Sequence, residues 1–358
     1  MRDRGRPVQR YYGAAVVTGT TGETAATGST ALRWRSWRVA MQGALYGATG
    51  FYRRNLPGAH FRTAASSPVF ADAIARLTGV VDEALGRPSA MQVVDVGAGA
   101  GEVLRALADQ VPAHVRLTGV DIGPRPAGLP DRIAWTSTIP PSVVGVVLAN
   151  EWLDNVPLDV VEVDDDGITR IVEVELRSGQ ERLGSPVAGR DADWLARWWP
   201  MAGAMAGMRA EVGWPRDDRW ADCLGHLDAG VAVAIDYDHL AGARPVFGTL
   251  VGFRDGRMVE PIPDGSCDIT AHVALDACAT APSATEAVGT LTRQADALRV
   301  LGVSGTRPTF EPGGDAPAYV RDLARASEAA FLTAVDGLGG FGWLAHARGL
   351  AVPFGVTS

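Results

Sequence analysis

The sequence predicts an α/β fold built on a parallel sheet, and three observations carry that expectation. Short apolar runs recur at roughly 92–97, 116–121, 132–137, 144–149 and 231–236, each read as a strand. The runs are continuous rather than alternating, as strands buried on both faces are, and helical patterns join them. After the first run, "VVDVGAGAGEVLRALA" (93–108) spaces three glycines two apart, forming the strand-to-helix turn on which doubly wound folds seat a nucleotide.

The 358 residues give ample length for a large core. A composition of 47% hydrophobic and 21% charged residues is that of a soluble globular protein, and no apolar run is long enough to span a bilayer. A cytoplasmic location is the expectation. The net charge of −8 argues against nucleic-acid binding and suits a cationic partner. All 33 basic residues are arginine, a bias expected of a GC-rich bacterial genome, which marks no site. Cys223, Cys267 and Cys278 are odd in number and widely spaced, and no His-Glu-x-x-His pair occurs, so neither a disulfide framework nor a metal is expected.

Along the chain, residues 1–30 open on Arg2, Arg4, Arg6 and Arg10 and pass into a Thr- and Gly-rich tract, read as a disordered tail or as a transit peptide. The remainder, 31–358, reads as one domain whose first part, 31–88, is helical. Within it Trp34, Trp37, Met41, Leu45 and Ala48 fall at spacings of three and four, the buried stripe of a packing helix. A second helix is predicted from Pro68, with Ser66 or Ser67 as its cap. After the fourth strand, "DVVEVDDDGITRIVEVEL" (159–176) reads as a β-hairpin leaving the sheet. The following stretch to about 227 is helical in character and holds five of the ten tryptophans. It is an insertion that serves either as a lid or substrate wall, or as a tryptophan-rich satellite core. A second hairpin is predicted within 248–261.

The acids around the glycines decide the cofactor. Gly97, Gly99 and Gly101 are preceded by Asp95 and followed by Glu102, where a dinucleotide fingerprint would place its last glycine. S-adenosylmethionine has no phosphate and carries a sulfonium and an ammonium, so it fits these carboxylates better than a nicotinamide or flavin does. Asp121, at the end of the second strand, can accept from both ribose hydroxyls, with Ile122 beside it as a further cofactor contact.

A second constellation ends the fourth strand: Asn150, Glu151, Asp154, Asn155 and Pro157 in "ANEWLDNVP", with Asp236 and Tyr237 ending a later strand. Strand ends of an open parallel sheet deliver their residues to one rim, so Asp95, Asp121, Glu151, Asp154 and Asp236 should converge there. Glu151 and Asp154 suit a planar guanidinium held through paired hydrogen bonds, or one acid acts as general base toward a hydroxyl or amine, or they cap the next segment. His272 is either a base or a hydrogen-bonded structural residue.

At these residues the chain resembles the MidA family of S-adenosylmethionine-dependent methyltransferases, through "ANEWLDNVP", "HFRTAASSPVFADAI", "AIDYDHL", "GTLVGFRDGRMVEP" and "DITAHVALDA", over about residues 50–303. The resemblance implies a Rossmann-like class I methyltransferase fold, a mostly parallel seven-stranded sheet with one antiparallel strand and helices on both faces. A mitochondrial relative is associated with symmetric dimethylation of an arginine on a complex I subunit. By resemblance Glu151 and Asp154, with Asn150, are the candidate arginine-binding and catalytic residues, while Thr63, Asp236, Tyr237 and His272 are candidates for the substrate side. Asp238 stands where the family commonly has glycine. The expected function is therefore methylation of an arginine guanidinium on a protein or peptide. The alternatives are a small-molecule hydroxyl or amine as acceptor, or an assembly factor that binds S-adenosylmethionine without turnover.

Overall fold

The computed structural model describes residues 33–54, 63–280, 287–309 and 315–354; the tail expected at 1–30 lies outside them. In chain order, β1 (Trp34–Ser36) leads into α1 (Trp37–Tyr46), α2 (Phe51–Arg54) and α3 (Pro68–Ala84). The alternating region follows as β2 (Gln92–Val96), α4 (Glu102–Leu107), β3 (Arg116–Val120), β4 (Ile133–Thr136) and β5 (Val143–Asn150). Next come β6 (Asp159–Val163), β7 (Thr169–Glu175), β8 (Glu181–Pro186), α5 (Gly189–Trp198), β9 (Arg209–Val212) and α6 (Trp214–Gly225). The chain finishes with β10 (Leu227–Asp236), β11 (Val251–Arg254), β12 (Arg257–Val259), β13 (Asp268–Thr270), α7 (Leu275–Cys278), β14 (Val288–Arg293), α8 (Gln294–Val300), α9 (Ala316–Leu332) and β15 (Gly342–Arg348).

The central sheet runs β14-β15-β10-β5-β2-β3-β4. Pairing is parallel from β10 to β4 and antiparallel where β15 meets β10 and β14. The period of two explains the continuous apolar runs. Val146 and Leu148 of β5, with Val231 and Val233 of β10, join a core with Phe70, Ile74 and Leu77 of α3 and Leu298 of α8. Val147 and Ala149, with Ala232 and Ala234, face the opposite core around Trp220 and Leu224 of α6. A strand apolar at every position thus serves two layers of helices.

The fold is α/β and methyltransferase-like, but its sheets are mixed. Beside the central sheet stand an antiparallel sheet of order β1-β7-β6-β9, with β8 on β7, and an antiparallel three-stranded sheet β12-β11-β13. In the first of these, Val160, Val172 and Val174 pack on Trp37, Met41 and Leu45 of α1. Val161, Val163, Ala210 and Val212 face Trp194 and Trp199. Of residues 159–227, Arg219, Asp222 and His226 reach the large cavity described below.

Three local expectations are corrected. The stripe from Trp34 to Ala48 is not one helix: Trp34 pairs with Glu175 as an edge strand, and Ala48 is exposed beyond the end of α1. The tryptophan-rich stretch is not wholly helical, since β9 within it pairs with β6. Ser67 does precede Pro68 at the start of α3, but its hydroxyl bonds Glu328 of α9 instead of the helix end.

Trp220 is fully buried, and its indole N–H meets Nδ1 of His346 at 3.2 Å, tying α6 to β15. Trp220→Ala should lower the unfolding free energy by about 3–5 kcal/mol, read by urea denaturation, because it empties a large volume and orphans His346.

Candidate active site

The glycine turn closes the end of β2. Gly97, Gly99 and Gly101 have φ of 72°, 55° and 72°, a left-handed region that side chains other than glycine enter at a cost. Space forbids a side chain at the first as well: a Cβ on Gly97 would stand 2.5 Å from Cδ1 of Trp152. Asp121, just past β3, accepts from the Gly99 N–H through Oδ2 at 3.0 Å and from the Gly123 N–H through Oδ1 at 2.7 Å. Each oxygen keeps a lone pair for a further donor such as a ribose hydroxyl.

Gly97, Gly99, Asp121 and Ile122 line one side of a cavity of about 940 Å³. That volume is at the top of the range for one small-molecule site, about 300–1,000 Å³, so it can hold a cofactor and part of an acceptor. Gly101 caps α4 and does not reach the wall. Neither does Asp95, a buried carboxyl pushed up to about 8 by burial and by the charges of Glu102 and Asp121.

The other side of the cavity is acidic. Asn150 ends β5, and Glu151 then takes φ 50°, unusual for a residue with a side chain, while its N–H stays bonded to the Ile235 carbonyl of β10 at 2.8 Å. The turn aims the carboxylate into the cavity. There Oε1 accepts from the Ala64 N–H at 3.3 Å and from Nδ2 of Asn150 at 3.2 Å. Burial and nearby Asp154 outweigh those bonds and push Glu151 up to about 7.

Asp154 is 5% exposed. Its Oδ2 accepts from Thr270 at 2.7 Å, whereas Oδ1 is buried with no partner among the described residues. Burial raises its pKa against the Thr270 bond and the charge of Arg216. That arginine is itself buried and donates to the backbone carbonyls of Asp154, Val156 and His272, so it fastens two loops without neutralising a carboxylate directly. Asp268 also lines the cavity. Its Oδ1 accepts from Tyr52 at 2.7 Å and from Nδ2 of Asn155 at 3.0 Å, and burial pushes it up to about 7.

The structure therefore brings together Gly97, Gly99, Asp121, Ile122, Asn150, Glu151, Asp154, Thr63 and Tyr237. It excludes two residues expected on the substrate side. Asp236 is fully buried and does not reach the rim; its Oδ2 accepts from the Leu153 and Asp154 N–H groups at 2.9 and 3.2 Å, holding the acidic loop from below. His272 lies beyond the end of β13, is exposed, and stacks on the outer side of Tyr237 at 5.5 Å, in a shallower depression. Asp238 is taken up by an ion pair with Arg293. Sequence reasoning missed Tyr46, Tyr52, Asn155, Asp268 and Thr270 as wall residues. The signal for the last two was present in "DITAHV", where attention went to the histidine instead. Among the described residues no group of His, Cys, Asp and Glu could hold a metal ion, and no helix is long and apolar enough to cross a membrane.

Two expectations follow from this geometry. Gly97→Ala must push against Trp152 at a positive φ, and should weaken S-adenosylmethionine binding about tenfold or more by calorimetry. The second concerns the ligand-free protein. Asp95, Glu151 and Asp268 titrate at about 8, 7 and 7 when folded, but near 4 when unfolded. The folded state then binds more protons between those values, so stability should fall as pH rises from about 4 to about 8. Asp95→Asn should flatten the upper end of that slope in denaturant titrations.

Residues 73–291 match a protein family described as "Putative S-adenosyl-L-methionine-dependent methyltransferase". Among curated proteins none matches the chain. Two crystal structures from Burkholderia thailandensis share the fold. One, a COG1565 superfamily member bound to S-adenosyl-homocysteine, is 24% identical with a TM-score of 0.75, over 90% of each chain. The other, a native COG1565 superfamily protein, is 25% identical with a TM-score of 0.73, over 91% of this chain and 90% of that one. The matched segment contains the glycine turn, Asp121, the whole "ANEWLDNVP" loop and Asp268. With its glycine turn and acid-lined cavity, the chain belongs to this family of S-adenosylmethionine-dependent methyltransferases, and S-adenosylmethionine is its cofactor.

Proposed function

We propose that this methyltransferase acts on a guanidinium group, that of an arginine carried on a protein or peptide. The observation that carries the reading is Asp154: a carboxylate 95% buried, facing the cavity, with one oxygen that nothing in the described protein satisfies. Leaving a charged oxygen so placed is costly unless a donor arrives with the substrate. Glu151 beside it has the same need, and a planar cation with several N–H groups serves both. The resemblance of "ANEWLDNVP" to the MidA family supports the same acceptor.

The bound cofactor supplies a methyl carbon on a sulfonium, displaced with its bonding pair left on sulfur. Gly97, Gly99 and Asp121 would hold it on the far side of the cavity from the acids. The protein's task is alignment, worth several kcal/mol on the order of 7 or more when complete. Glu151 and Asp154 orient the guanidinium so that one nitrogen points across the cavity. The methylated nitrogen sheds a proton, and Glu151, poised at about 7, accepts it. That same value favours a second reading, a small-molecule amine as acceptor, because an acid poised near neutrality is also a suitable base toward an amine.

The test is transfer of a labelled methyl group from S-adenosylmethionine into lysate of the source organism, followed by acid hydrolysis. Methylarginine in the protein fraction is the expected product. Label confined to small molecules would replace this reading with the second. Glu151→Gln should keep cofactor affinity and lose about a hundredfold or more in transfer rate; an unchanged rate would remove Glu151 from the reaction.

A further inference from the structure

Beyond Glu151 and Asp154, a third carboxylate faces the cavity in surroundings that neither the sequence reading nor the family match assigns. Asp268 and Thr270 are two residues apart on β13, so both side chains point to one face of that strand. Ile269 between them points the other way, into the core beneath α1. Thr270 donates to Asp154, and Asn155 bonds Asp268, so the acids are linked through neutral groups. Tyr46 and Tyr52 complete the wall, their ring centroids 5.6 Å apart; the Tyr46 hydroxyl bonds the Asn155 carbonyl and the Tyr52 hydroxyl bonds Asp268.

The charge balance of this wall is one-sided. Asp268 is 3% exposed and makes no ion pair among the described residues, and its nearest charged neighbour of note is another carboxylate, Asp154. The arginines that line this part of the cavity look elsewhere: Arg53 donates to the Tyr46 carbonyl and Arg54 to the Gly265 carbonyl. Asp154 adds an independent sign of a missing donor through its unpartnered, buried Oδ1. Buried carboxylates next to aromatic faces form the environment in which a desolvated cation is held.

We propose that Asp268, flanked by Tyr46 and Tyr52, is a specificity-determining residue that binds the positive charge of the acceptor alongside Glu151 and Asp154. The proposal rests on the cationic acceptor argued above, and adds that recognition is shared by two walls. Glu151 and Asp154 come from the strand-end loop of the central sheet, whereas Asp268 and the tyrosines come from the small sheet and the N-terminal helices. A guanidinium presents N–H groups along separate edges and can address both at once.

The experiment uses the full chain saturated with S-adenosylhomocysteine and titrated calorimetrically with two probes, agmatine as a guanidinium and cadaverine as an ammonium. Wild type should bind agmatine, and Asp268→Asn should weaken it about tenfold while leaving S-adenosylhomocysteine affinity within about twofold. Should Asp268→Asn no longer bind S-adenosylhomocysteine, Tyr52→Phe takes its place. That variant strips the carboxylate of one bond favouring its ionised form, and about a threefold loss is expected. Agmatine affinity unchanged in the folded variant overturns the role of Asp268 and leaves the arginine reading standing. Cadaverine bound as well as agmatine, and lost with Asp268, upholds the subsite and overturns the guanidinium preference. Wild type that binds neither probe overturns both.

Discussion

Negative charge held in a low-dielectric wall is the constraint around which the site is organised. Glu151, Asp154 and Asp268 face one cavity, and none of them is hydrogen-bonded to a cation among the described residues. Burial alone would neutralise them, and it does push Glu151 and Asp268 up to about 7. What keeps them within reach of ionisation is a set of neutral donors: the Ala64 N–H, Asn150, Thr270, Tyr52 and Asn155. Such a wall is less stable empty than filled by a cation. A methyl donor that carries a sulfonium, and an acceptor that carries a guanidinium, both meet that condition.

The supports of this wall explain why polar residues are buried beneath it. Asp236 and Arg216 sit below the acidic loop and bond its backbone, Asp236 to two N–H groups and Arg216 to two of its carbonyls and one from the "DITAH" segment. Their opposite charges stand near one another without forming a direct pair. Each therefore spends its hydrogen-bonding capacity on fixing main chain, which a tightly paired salt bridge would not do.

The sequence made the scaffold legible where a local rule governs it. Strands apolar at every position, each with a turn after it, announced β2, β3, β4, β5 and β10 because burial on both faces leaves no polar alternation. The glycine turn and Asp121 were legible because a left-handed turn admits few other residues. Elements made by distant pairing were not legible: β1 exists only because β7 lies beside it, and β9 because β6 does. The site shows the same division. Asp236 ends a strand as Asn150 does, and nothing local says that its side chain turns inward to bond Leu153 and Asp154. Tyr46 and Tyr52 read as packing residues of a short helical segment, and only the tertiary position of that segment against β13 makes them cavity wall.

Methyl transfer in line demands that donor and acceptor sides keep a fixed relation, because a displacement of an ångström in the reacting atoms forfeits much of the advantage of proximity. In this chain the relation is set by one contact. Trp152, next to Glu151, fills the space where Gly97 would carry a Cβ, so the turn on the donor side and the loop on the acceptor side are packed as one body. The strained φ of Glu151 is the local expense of that arrangement, of order 1–3 kcal/mol. It persists because the residue's N–H is anchored to Ile235 and the residues after it to Asp236, both on β10. A relaxed backbone at Glu151 would release Trp152 from the glycine turn and let the two halves of the cavity move apart. The strain is thus inseparable from the alignment that the reaction needs.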